Sequence, residues 1–184
     1  SNGEFTVNIA LIEHGAPILG VVFAPAKNAL YAGDAAAGHA FKGEWDGRSG
    51  KALRPLSPIN VLPRSGAWRV TASRRSGGPK TQSFLDALGA IEEKPSSSSV
   101  KFGLIAEGAV DLYPRIGEVS EWDAAAGHAV LKAAGGGIMR LTGEDVRYGR
   151  AGWKFIIDGF VAYGDAASEA AARAILERFK WTGV

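Results

Sequence analysis

The chain has 184 residues, enough for one domain or for one domain with part of a second. Hydrophobic residues make up 46% and charged residues 22%, the balance of a globular protein that folds in water. A formal net charge of +2 gives no support to a nucleic-acid or membrane-surface partner, and the lack of cysteine excludes disulfides, thiolate catalysis and zinc–sulfur sites. No apolar run approaches the length that spans a bilayer, and no signal-peptide pattern is visible.

The first residue is Ser1, and strand-like sequence is under way by Phe5. This start predicts a fragment, a processed chain or the ordered part of a longer one. Residues 5–12 are apolar and β-branched, His14 and Gly15 form a turn, and residues 17–23 read as a second strand. So short a connection predicts an antiparallel hairpin. Two more short strands are expected at 29–32 and 39–42, giving a meander of about four strands. Residues 43–66 are rich in Gly, Ser and Arg and contain Pro55, Pro58 and Pro63, which predicts a loop or domain linker.

A strand at 68–72 leads into the polar loop Ser73–Ser76 and a helix over 81–88 with Phe84, Leu85 and Leu88 on one face. The two arginines of the loop could grip an anion or lie in solvent. The serine run 96–99 precedes Lys101 and an apolar helix at 102–107. A linker is one reading. The other is a phosphate or ribose cradle, because Lys in a first helical turn opposes the helix dipole unless an anion is bound.

A strand at 109–113 passes through Pro114 to Arg115 and then to a helix that starts near Asp123. Ser120 is a suitable N-cap, and Glu121 and Asp123 place negative charge in the first turn. Trp122, Ala126, Val130 and Ala133 recur at helical spacing and are expected to be buried. Gly127 costs about 1 kcal/mol relative to Ala inside a helix, which points to a close packing contact. The Asp123 carboxylate either caps its own helix or holds a hard cation. Strands at 138–141 and 159–163 and an Ala-rich helix at 166–179, capped by Asp165, complete an α/β region. The expected organisation is therefore an antiparallel first part over 1–65 and a C-terminal α/β domain over 66–184. His14, His39 and His128 do not pair with a serine at triad spacing.

Residues 2–12 (NGEFTVNIALI), 20–25 (GVVFAP), 98–101 (SSVK), 112–115 (LYPR) and 122–129 (WDAAAGHA) are similar to the 3'(2'),5'-bisphosphate nucleotidase branch of the inositol monophosphatase superfamily. The resemblance covers nearly the whole chain. It implies a layered sugar-phosphatase-like α/β (α+β) sandwich and a Mg2+-dependent phosphatase. The implied reaction removes the 3'-phosphate of adenosine 3',5'-bisphosphate, and in the family often of its sulfated form. It makes Asp123 a metal ligand and places Ser98, Lys101, Arg115 and Asp123 around the small-molecule nucleotide. An Arg at 115 suits a second phosphate, because its planar fork grips phosphate oxygens in pairs. The implied location is cytoplasmic, with peripheral attachment at the inner face of the cell membrane and a homodimer both compatible with it. The superfamily's Asp-Pro-(Leu/Ile)-Asp-Gly-Thr element belongs just before Asn2, with a glutamate ligand further upstream, and neither is in the chain. The chain is thus expected to be the C-terminal part of the enzyme and inactive alone, since hard cations need several oxygen ligands. An inositol or sugar monophosphatase, and a non-catalytic nucleotide- or anion-binding fragment, are the alternatives.

Overall fold

The computed structural model describes residues 5–72 and 78–181. The chain opens with β1 (Val7–Glu13) and β2 (Ala16–Ala24), joined through His14 and Gly15. Both linking residues have positive φ, 49° and 77°, the twist that a two-residue hairpin turn requires. β3 (Ala29–Asp34), β4 (His39–Asp46) and β5 (Lys51–Ile59) continue the meander, giving a sheet in sequential order from β1 to β5.

The fifth strand corrects the loop expected over 43–66. β5 carries Pro55 and Pro58 and is almost wholly exposed. It lies at the sheet edge, where a missing backbone donor costs no internal hydrogen bond. Proline therefore marks an edge here and not an interruption.

The second half contributes β6 (Trp68–Val70), α1 (Pro79–Leu88), β7 (Ile91–Glu93), α2 (Val100–Ala106), β8 (Leu112–Arg115), β9 (Val119–Ser120) and α3 (Glu121–Ala133). β10 (Gly137–Arg140), β11 (Ile156–Ile157), β12 (Phe160–Tyr163) and α4 (Ala166–Phe179) follow. The second sheet runs β10-β12-β8-β6-β7, antiparallel over its first three strands and parallel over the rest. β9 and β11 form a separate two-stranded ribbon. Asp165 caps α4 as expected, its carboxylate accepting from Ser168 N at 2.9 Å.

The layers stack as first sheet, α2 with α3, second sheet, then α1 with α4. One core lies around α2 and α3 and reaches both sheets through Val22, Tyr31, Phe102, Val130, Tyr113 and Phe160. A second core joins Phe84, Leu112, Val161, Ile175 and Leu176 between the second sheet and the outer helices. α3 lies almost in backbone contact with the first sheet. A Cβ on Gly20 would come within 2.3 Å of Ala126 O, and one on Gly33 within 2.5 Å of Val130 Cα. The small residues of α3 and the two glycines beneath it are therefore one device, which holds the helix start at a fixed height over the strands.

Two expectations for α3 need revision. Ser120 is its N-cap in backbone terms, but its side chain makes no capping hydrogen bond. Trp122 is 61% exposed, although Ala126, Val130 and Ala133 are buried. The helix start overhangs the layer below, and Trp122 meets Phe155 with ring centres 6.5 Å apart. Helical spacing marks a face, but it does not show where along the helix the covering layer ends.

Candidate active site

Three separate segments converge at one end of the buried helical layer. The serine turn before α2 brings Ser98 and Lys101, β8 brings Tyr113 and Arg115, and the first turn of α3 brings Asp123. Ser98 sits at a φ of 53° in the left-handed region. Its hydroxyl meets Thr6 Oγ1 at 2.5 Å, which ties the turn to the strand entry. Ser99 Oγ donates to the Asp123 carbonyl at 2.8 Å, while Asn8 Nδ2 donates to Ser99 Oγ at 3.0 Å. The serine run is thus no free linker. It is pinned to the start of α3 and to β1.

Lys101 is only 3% exposed. A buried ammonium needs compensation, and it donates to Ser98 O at 3.1 Å and lies 4.9 Å from the centre of the Tyr113 ring. Tyr113 in turn packs edge-on against Phe102 and Phe160, at 5.6 and 5.3 Å between centres. Burial, opposed by the nearby Arg115 charge and assisted by that of Asp123, pushes the Tyr113 hydroxyl up to about 12. The same phenol therefore feels both Arg115 and Asp123. Arg115 is half-buried and donates from Nη2 to Glu118 O at 2.8 Å, which fixes the plane of its guanidinium.

Asp123 is exposed in the first turn of α3, near the positive end of the helix dipole. Its neighbour Glu121 is buried and already committed. The Glu121 carboxylate accepts from Gly149 N at 2.6 Å and from Arg150 N at 3.1 Å. His128, further along α3, is packed into the interior. Its Nδ1 lies 3.0 Å from Tyr148 Oη, and burial, with the Lys132 charge adding to it, pushes its pKa down to about 3. The Ser73–Ser76 loop lies outside the described residues.

The structure thus brings Ser98, Lys101, Arg115 and Asp123 together around the Tyr113 ring and the start of α3. Thr6, Asn8, Ser99 and Tyr113 adjoin them, and the sequence assigns these four no separate role. A signal existed for two of them: Thr6 and Asn8 are the polar positions of an otherwise apolar alternating stretch.

A model of the inositol monophosphatase family matches residues 1–178. The chain belongs to that family. It is 44% identical over 147 residues to the 3'(2'),5'-bisphosphate nucleotidase CysQ of Escherichia coli strain K12, covering 80% of this chain and 55% of the relative. It is 41% identical over 162 residues to the protein of the same name from Buchnera aphidicola, covering 88% and 57%. The chain spans about half the length of the curated relatives it matches. The crystal structure of CysQ from Bacteroides thetaiotaomicron superposes with a TM-score of 0.76 at 31% identity, over 89% of this chain and 64% of that one. An inositol monophosphatase from Anabaena shares the fold, with a TM-score of 0.69 at 24% identity.

The residues present do not by themselves suit a magnesium ion. Mg2+ demands near-octahedral oxygen coordination. Among the described residues no group of three or more His, Cys, Asp and Glu side chains could hold a metal. Asp123 offers one carboxylate, and Glu121 is engaged with backbone N–H groups. Among those residues, too, no helix is long and apolar enough to cross a membrane.

Proposed function

We propose that this chain is the nucleotide-recognising part of a cytoplasmic, Mg2+-dependent phosphatase that removes the 3'-phosphate of adenosine 3',5'-bisphosphate, or of its sulfated form. The observation that carries the reading is the pairing of two cationic side chains, Lys101 and Arg115, around one buried phenol beside an exposed carboxylate. A substrate with two phosphates needs two positive grips, whereas a monophosphate needs one. Arg115 supplies a planar fork suited to bidentate phosphate contact, and Lys101 supplies a point charge held by Ser98 O and the Tyr113 face. Ser98 adds a hydroxyl at a turn that Thr6 steadies. Asp123 is the ligand this chain would contribute to a metal centre, and its closeness to Tyr113 and Arg115 supports a reacting phosphate bound beside it. The identity to bisphosphate nucleotidases across four-fifths of the chain supports the same choice of substrate.

The test is a chimera in which this chain replaces the matched portion of the E. coli relative. Arg115→Ala in that chimera should raise KM for adenosine 3',5'-bisphosphate by at least about tenfold, as for loss of a charge-assisted contact. KM for an adenosine monophosphate should move far less. Equal losses on both substrates would remove Arg115 from phosphate recognition and favour an inositol or sugar monophosphatase.

A further inference from the structure

A polar cavity lies toward the other end of α3 from the candidate site. Its volume is about 320 Å³, and its walls include His128 and Lys132 of α3, Asp145 and Arg147 of the segment after β10, and Tyr163 of β12. None of these residues belongs to the group around Asp123. Lys132 is nine residues further along the helix than Asp123, roughly 14 Å at a rise of 1.5 Å per residue.

The protein leaves the donors of this cavity largely unused. His128 is 8% exposed, and its one hydrogen-bond partner among the described residues is Tyr148, at Nδ1. The Tyr148 hydroxyl has no second partner among those residues, so it is best satisfied by donating to the neutral ring. That places the ring proton on Nε2, a donor that nothing in the described residues receives. Lys132 lies near enough to the ring to act on its charge. Lys132 and Arg147 are exposed, and among the described residues neither is paired with a carboxylate. Arg147 donates from Nη1 to His14 O at 3.3 Å, which leaves the rest of its fork open. Gly137 makes room for the Tyr163 hydroxyl at the wall, since a Cβ there would lie 2.5 Å from it.

Two features oppose an anion. One is the Asp145 carboxylate, and the other is the C-terminal end of α3, which carries roughly half a negative charge. The last carbonyls of that helix are already engaged: Lys132 O accepts from Gly135 N at 3.1 Å and Ala134 O from Val61 N at 3.0 Å. Two full positive charges keep the balance positive. Asp145 also supplies an acceptor that a bare ion would not use.

We propose that this cavity is a second, non-catalytic oxyanion site, which takes a phosphate or sulfate group through Lys132, Arg147 and the Nε2–H of His128. Asp145 accepts from a hydroxyl on the same ligand. The site uses no residue of the nucleotidase reading and does not rest on it.

The test is a titration of the isolated chain, and of the chimera described above, with inorganic phosphate and with glycerol 1-phosphate. The histidine rings are followed by nuclear magnetic resonance at fixed pH and ionic strength. The His128 signals should shift and saturate, while those of the exposed His39, at the start of β4, stay in place. The double variant Lys132→Ala and Arg147→Ala changes only exposed side chains and should weaken the response at least about tenfold, the equivalent of one charge-assisted contact. Arg115→Ala should leave it unchanged. The ester should bind more tightly than the free ion, and Asp145→Ala should remove that difference. A free ion bound as tightly as the ester would overturn the hydroxyl contact to Asp145. A silent His128, or an equal response to chloride, would overturn the site. So would a response that survives the double variant or vanishes with Arg115→Ala.

Discussion

Gly127→Ala tests how tightly α3 is set against the rest of the molecule. In an open helix the exchange would stabilise by about 1 kcal/mol. Here the added Cβ would lie 2.2 Å from Phe102 Cδ2, 2.5 Å from Cγ and 2.8 Å from Cβ. Separations under 3 Å force a movement, and Phe102 has little room to move. It is 2% exposed, stacks on Phe160 at 5.5 Å and meets Tyr113 edge-on. Overpacking of this kind costs roughly 1–3 kcal/mol, against the propensity gain of about 1 kcal/mol, so the exchange should lower stability by up to about 2 kcal/mol. For a chain of this size that is a fall in Tm of up to roughly 4–8 °C. Urea unfolding of the two proteins side by side gives the number. Because Phe102 supports Tyr113, which supports Lys101, the variant should also weaken nucleotide binding by the chimera. A gain of stability near 1 kcal/mol would show that the α2–α3 contact is loose and that Gly127 is an ordinary helical glycine.

Asp123→Asn in the chimera should cut phosphatase activity at least about a hundredfold, as when a catalytic metal is loosened. The same change should cost at most about 1 kcal/mol of stability, since the carboxylate is exposed and only favours the helix dipole; the reverse pattern would make it a cap. Glu121→Gln should destabilise by about 1–3 kcal/mol, because one of the N–H groups of Gly149 and Arg150 would face an amide NH2 and the other would keep only a neutral acceptor; an unchanged Tm would contradict that anchoring role. His128 is buried with a pKa near 3, below its ordinary 6.5. The unfolded chain then binds more protons between those values, so stability is complete above pH 6.5 and falls as the pH drops toward 3. The loss should be on the order of 3 kcal/mol by pH 4, and His128→Gln should flatten that slope in acid titrations followed by circular dichroism.

The first four strands were legible because the first two are apolar and β-branched and the turns between them carry His14-Gly15 and Asn28. β5 was not, because Pro55 and Pro58 argue against a strand unless its place at the edge is known. Trp122 shared the spacing of a buried stripe, yet burial depends on how far the neighbouring layer extends, and that is a tertiary fact. The site residues came from motif likeness, because 98–101, 115 and 123 are too far apart for any spacing rule to join. Their convergence rests on α2 packing against both α3 and β8. The commitment of Glu121 to the 149–150 backbone, in contrast to the open Asp123 two residues on, has no mark in the sequence.

The most direct test of the central claim is a comparison of kcat/KM for adenosine 3',5'-bisphosphate and inositol 1-phosphate, measured on the chimera with magnesium. Two cations at the Lys101–Arg115 site predict a preference for the bisphosphate of at least about tenfold, the equivalent of one charge-assisted contact. Equal use of the two substrates, or a preference for the inositol phosphate, would contradict it.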